Sequence, residues 1–194
     1  MNNKKYHMIL IVIYFIFFIW SVIQPYDFFT WFLEVSPAVI GLGILLITYQ
    51  KFKFTNFTYN LILLHSIILM IGGHYTYAEV PLFNWLKDVF DLNRNYYDRL
   101  GHYAQGFIPA IIAREILFRK SIIKNGHWMF FIITCICLAI SASYELLEFG
   151  VAMLTVESAE AFLGTQGDVW DYTVGYAICI GRRHFLTPII KWLS

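Results

Sequence analysis

The chain has 194 residues, of which 59% are hydrophobic, 19% aromatic and 14% charged, against about 25% charged in soluble domains. Too little polar material is present to clothe a water-facing surface, which places the protein in a membrane. A formal net charge of +1 with no basic run excludes nucleic acid as a partner, because phosphate binding needs a stripe of Lys and Arg. Cys135, Cys137 and Cys179 lie in apolar runs without C-x-x-C spacing, so neither a disulfide framework nor a thiolate zinc site is signalled.

A helix needs about 20 mostly apolar residues to cross about 30 Å of hydrocarbon. Windows at 8–23, 31–49, 59–77, 100–118 and 128–149 come near this, and a doubtful one runs from Asp171 to the end. The expected fold class is therefore all-α: a polytopic transmembrane helix bundle with five clear spans plus a disrupted sixth. Residues 1–171 read as a single membrane-embedded domain. Lys4 and Lys5 precede the first window, but Ser21 to Pro25 offers no small-x-small cleavage site, so an uncleaved helix is expected rather than a signal peptide.

Lys4, Lys5, Lys51, Lys53, Arg114, Arg119, Lys120 and Lys124 fall on one side of this topology, and only Lys87, Arg94 and Arg99 on the other before Asp171. The excess marks the cytoplasmic side and predicts a cytoplasmic N-terminus. The longest outer connection, 80–99, mixes Phe83, Trp85, Leu86, Val89, Phe90 and Leu92 with Lys87, Asp88 and Asp91. Both an amphipathic helix lying in the interface and a plain surface loop fit it.

The acids are distributed unevenly on this topology. All fall outside or in the outer end of a span except Glu115. Glu34, Glu79, Asp98, Glu145 and Glu148 lie within a few residues of apolar helix, where a charge costs a few kcal/mol unless it faces a polar interior. Asp98 and His102 are i, i+4 and share a helix face, with Gln105 close to it. Glu145 and Glu148 are i, i+3 at the end of the fifth span, where the helix dipole disfavours acids, so capping does not explain them. Asp98, Asp168 and Asp171 stand at helix starts, so capping and chemistry both remain open for them. His74, Tyr77 and Glu79 close the third span. His65, mid-span, reads as a packing histidine, and Arg114 with Glu115 as a snorkelling anchor.

These helix ends bring carboxylates and imidazoles to one membrane depth. The candidate catalytic residues are His102, Asp98, Glu145 and Glu148, with Arg99, His74, Tyr77 and Gln105 as candidate substrate contacts. Crowded carboxylates in a low-dielectric cleft provide general acid/base pairs. The oxygen and nitrogen donors also suit a divalent metal, with Glu79, Glu145, Glu148 and Asp168 as the ligand set.

The stretches GGHYTYAEVPL from Gly72, YDRLGHYAQGF from Tyr97, AREILFRKS from Ala113, ISASYELLEF from Ile140 and AFLGTQGDVWD from Ala161 closely resemble the YjdF-like inner-membrane proteins of bacteria. The resemblance covers nearly everything from Trp20 to Asp171 and implies a multi-pass inner-membrane protein, in a family without an established activity. The acid four residues before a histidine, the glutamate pair and the later aspartate also look like the VanZ-like membrane proteins, proposed to include enzymes acting on lipid head groups.

After Asp171 the chain departs from the family pattern, which continues with a sequence like TQWDM and a long apolar span. Here Tyr172 begins a stretch that reaches Arg182 and Arg183 after about ten residues, and two arginines mid-span would cost roughly 5 kcal/mol. Codons can be chosen for Tyr172 to His184 such that omitting one base yields TQWDMLFALVGA. A single-nucleotide insertion is inferred, leaving 172–194 as an aberrant tail in place of the sixth span.

Three functions compete: an outer-leaflet enzyme acting on phospholipid or lipid-linked head groups, a proton- or cation-coupled transporter, and a scaffold packing partner helices through small residues such as Gly41 and Gly43. Polar groups concentrate in the outer half, whereas transport needs a route across both halves, which ranks the enzyme first. Membrane lipids are the expected partners.

Overall fold

The computed structural model describes residues 3–154, which form six helices: α1 (Asn3–Val22), α2 (Phe28–Thr48), α3 (Asn56–Tyr75), α4 (Pro81–Val89), α5 (Tyr97–Arg119) and α6 (His127–Leu154). The doubtful span from Asp171, Asp168 and the tail from Tyr172 lie outside the described residues.

Four of these helices, α1, α2, α3 and α6, are long and apolar enough to cross a membrane. The fourth expected span, α5, has the length but not the composition, because Asp98, Arg99, His102 and Gln105 occupy its first turns. Its 23 residues reach about 35 Å at 1.5 Å per residue. It lies between α3 and α6, and its small and aliphatic face, including Gly101, Ala104, Ile108 and Ile111, is buried.

The hub is α3, which packs against α1, α2 and α5, while α6 packs on α5. Its two faces serve two cores. Met70, fully buried, meets Tyr14 of α1 with Val35 and Ala38 of α2. Ile68 meets Val80 together with Tyr97, Ala104 and Ile108 of α5. The Tyr97 hydroxyl donates to the Ile68 carbonyl at 2.9 Å, so a phenol buried between helices keeps a partner. In these apolar helices hydroxyls fold back onto the preceding turn: Ser66 onto Ile62, Thr134 onto Phe130 and Ser143 onto Ala139. Among the described residues the Nε2 of His65 is buried without a hydrogen-bond partner.

At one end of the bundle, Glu115 is 9% exposed rather than snorkelling. Its carboxylate accepts from the Thr55 amide at 2.7 Å, from the Thr58 hydroxyl at 2.5 Å and from the Arg119 guanidinium at 2.6 Å. Thr55 is the N-cap of α3, so an acid on α5 completes the cap of α3, where the helix dipole favours negative charge. The N-terminus joins this end through His7, which bonds the Tyr49 hydroxyl at 2.8 Å.

At the opposite end, the 80–99 connection contains the helix α4. Leu82, Trp85 and Val89 are exposed along one side, whereas Phe83 packs edge-on to Tyr97 with ring centroids 5.2 Å apart. Asn95, fully buried, donates to the Val80 carbonyl and the Asn84 side chain and accepts from the Tyr97 amide. It ties the starts of α4 and α5 together.

Asp27 caps α2, its carboxylate accepting from the Thr30 amide at 2.6 Å. That backbone bond, outweighing partial burial, holds the carboxyl below its ordinary value of 3.8. A lowered folded value means the cap stabilises above the unfolded value, and the contribution is lost as pH falls through the folded one. Asp27→Ala is expected to cost about 1 kcal/mol at neutral pH, and the gap from wild type should narrow as the pH falls below about 4. Thermal unfolding in detergent at neutral and acid pH checks this; an equal gap at both would exclude the cap.

Candidate functional site

The site begins where α3 ends. Thr76 caps α3 in the left-handed conformation, with φ 57°, and its amide donates to the Gly72 carbonyl. Tyr77 follows with φ 33°, a conformation that non-glycine residues adopt at a cost of about 1–3 kcal/mol. The turn drives the Tyr77 ring back between α3 and α5. A Cβ at Gly72 would collide with this ring, and one at Gly101 would lie 2.8 Å from its Cε1. Two glycines on facing helices thus make the slot for one aromatic ring.

The Tyr77 hydroxyl hydrogen-bonds to Glu34 of α2. Glu34 is 5% exposed and also accepts from the Tyr144 hydroxyl of α6 at 3.1 Å. A carboxylate in an apolar helix is thereby held by two phenols that arrive from different elements. Asp98 and His102 lie within electrostatic range of it.

Asp98 stands in the first turn of α5, whose N-cap, Tyr96, makes no side-chain cap bond. Its carboxylate lies 3.4 Å from the His102 Nε2 and 3.5 Å from the Arg94 guanidinium, with Asp98 and His102 each 16% exposed. His102 lies one helical turn after Asp98 on α5, whereas Arg94 reaches the same carboxylate from the bend that precedes the helix. An imidazole oriented by a carboxylate, with a guanidinium beside it, can move a proton and hold an anion at one place.

The expected residues divide between this cluster and other places. Asp98, His102 and Tyr77 belong to it, and Arg99 and Gln105 lie half-buried on the same stretch of α5. His74 is turned to α1, where its Nδ1 lies 3.1 Å from the Ser21 carbonyl and its ring 4.5 Å from that of Trp20. Glu79 is exposed and accepts from the Asn84 side chain at 3.1 Å. Glu145 and Glu148 lie on α6, one and four residues beyond Tyr144, and their side chains, like Asp168, are outside the described set. Among the described residues no group of three or more His, Cys, Asp or Glu side chains could hold a metal ion.

The sequence reading did not include Glu34, Arg94 and Tyr144 in the site. Arg94 carried a local signal, four residues before Asp98. Glu34 showed only that an acid sat in an apolar helix, and Tyr144, 110 residues away from it, showed none.

The glycine slot makes a sharp test. Gly101→Ala should destabilise the fold by about 1–3 kcal/mol, the usual cost of overpacking, because the Tyr77 ring is confined by Gly72 on its other side. Gly43→Ala, where a Cβ meets nothing within 4 Å, should be neutral or stabilising by up to about 1 kcal/mol. Unfolding in detergent measures both, and equal stability of the two variants would contradict the slot.

The family described as "Predicted membrane protein (DUF2238)" matches residues 6–174. The inner membrane protein YjdF of Escherichia coli (strain K12) is 43% identical over 171 residues, which are 88% of this chain and 79% of that protein. No solved structure matches the chain. The match takes in every described member of the polar cluster, from Glu34 on α2 to Tyr144 on α6, and with it the chain belongs to the DUF2238 family of multi-pass membrane proteins.

Proposed function

We propose that the protein is an enzyme of the cytoplasmic membrane, with its N-terminus inside, acting at the outer leaflet on lipid or lipid-linked head groups. The observation that carries the reading is the contact between Asp98 and His102, mostly buried yet at the end of the bundle, with Arg94 on the other carboxylate oxygen. His102 acts as general base: its imidazole takes the proton of a water or acceptor hydroxyl as that oxygen attacks the head-group phosphoester. Asp98 stabilises the imidazolium, which returns the proton to the departing alcohol oxygen. Water as acceptor makes the enzyme a hydrolase, and a hydroxyl makes it a transferase. Arg94 and Arg99 supply positive charge for the phosphate. Glu34, held by two tyrosines, is a second carboxylate in electrostatic contact with the pair.

Purified protein in vesicles of phosphatidylethanolamine, phosphatidylglycerol and a polyprenyl phosphate should change the head group of one of them, as should a strain carrying the gene against its deletion. His102→Ala and Asp98→Asn should each reduce the conversion by about 10²-fold or more with membrane insertion intact. Head-group profiles that do not differ between wild type and His102→Ala would remove the enzyme reading. For orientation, reporters fused at the Lys51 and Lys120 loops should report the cytoplasm, and one at Asp88 the exterior. The opposite pattern would move the site to the inner leaflet.

A further inference from the structure

A cavity of about 830 Å³ lies between α2, α5 and α6. Its walls are single helix faces: Pro37, Ile40 and Gly41 of α2, Pro109 and Ile116 of α5, and Ile140 of α6. Polar atoms on its lining are already engaged. Ser36 donates to the Leu33 carbonyl at 2.9 Å, the carbonyl whose helical partner Pro37 removes. Tyr144 donates to Glu34. A space of this size lined by apolar groups has nothing to hold ordered water. Ile40, Ile140 and Leu147 remain exposed at its rim, so it opens sideways, towards the hydrocarbon around the bundle.

We propose that this cavity is the binding site for one acyl chain of a glycerophospholipid, seated with its head-group end at Tyr144 and Glu34. Tyr144 is shared: it lines the cavity, and its hydroxyl is bonded to Glu34, the carboxylate within electrostatic range of the Asp98 pair. The apolar space is therefore bordered by Tyr144, one hydrogen bond away from Glu34. From Leu33 to Ile44 the α2 wall is about 16 Å deep, about half of the hydrocarbon core and so the depth of one leaflet. A methylene takes roughly the room of one liquid water, about 30 Å³, and a chain of about sixteen carbons fits within the volume. The assignment of the polar end to head-group chemistry rests on the function proposed above; the chain site itself does not.

Gly41 gives the test its handle. It lines the cavity, and a Cβ added there meets nothing within 4 Å, so a larger side chain enters open space. Gly43 is equally open but points to another face of α2. The full chain is reconstituted in phosphatidylethanolamine and phosphatidylglycerol vesicles containing a trace of phosphatidylethanolamine with a diazirine in its acyl chain, irradiated, and its adducts are mapped by mass spectrometry. Adducts should concentrate on the cavity faces of α2, α5 and α6 relative to the exposed surface of α1. Gly41→Trp, with Gly41→Leu as the milder variant, should lower them several-fold, and Gly43→Trp should not. Adducts unchanged in both Gly41 variants would overturn the proposal. So would benzoylphenylalanine at Ile140 cross-linking to a second copy, or to the segment after Leu154, in place of lipid. His102→Ala should leave the adducts intact. Adducts sensitive to Gly41→Trp with no head-group conversion would uphold the chain site and remove the enzyme; conversion unaffected by Gly41→Trp would remove the chain site alone.

Discussion

A carboxylate taken between apolar helices must find hydrogen-bond donors or lose several kcal/mol, and this bundle meets that demand at both ends. At one end Glu115 of α5 takes the free amide and hydroxyls at the start of α3. At the other, Glu34 of α2 takes phenols from the turn after α3 and from α6. Each acid joins elements distant in sequence, and α3, the helix packed against α1, α2 and α5, is involved at both. The vertical register of the helices is thereby set by polar contacts at the two ends, while the apolar contacts between them, which tolerate sliding, fill the space.

The long helices were legible in the sequence, because an apolar run of span length has few alternatives in a chain so poor in charge; α4 was not, since the 80–99 connection fitted a loop as well as an interfacial helix. The ends of the long helices were less so. The third window ran to Tyr77, but the helix stops at Tyr75, since the left-handed turn that sends the Tyr77 ring inward has no signature beyond the glycines it requires. Asp98 and His102 could be paired from sequence because one turn of helix makes neighbours of i and i+4. Glu34 and Tyr144 could not, because their contact depends on how α2 and α6 lean together. Glu115 shows the same limit: beside Arg114 it resembles an anchor, and only the fold brings Thr55 and Thr58 to it. His74 stands among polar residues in sequence, yet helix rotation turns it to Trp20 and Ser21.

The two prolines in long helices mark where the bundle is loosest. Pro37 and Pro109 both line the space between α2, α5 and α6, and each removes one rung of its helix. Around α3, by contrast, side chains such as Met70 and Val35 are excluded from all contact with the surroundings. The chain thus combines a closely packed contact around Met70 and Val35 with an open space between α2, α5 and α6.

The cap that Glu115 provides for α3 has a consequence for biogenesis. Thr55 and Glu115 are separated by 60 residues, so the first turn of α3 leaves the ribosome well before the acid that completes it. During that interval the Thr58 amide already donates to the Thr55 hydroxyl, but the Thr55 amide and the Thr58 hydroxyl lack the carboxylate that later accepts from both. The start of the central helix is therefore fully satisfied only once α5 lies beside it, although α1 and α2, which also pack on α3, are made earlier.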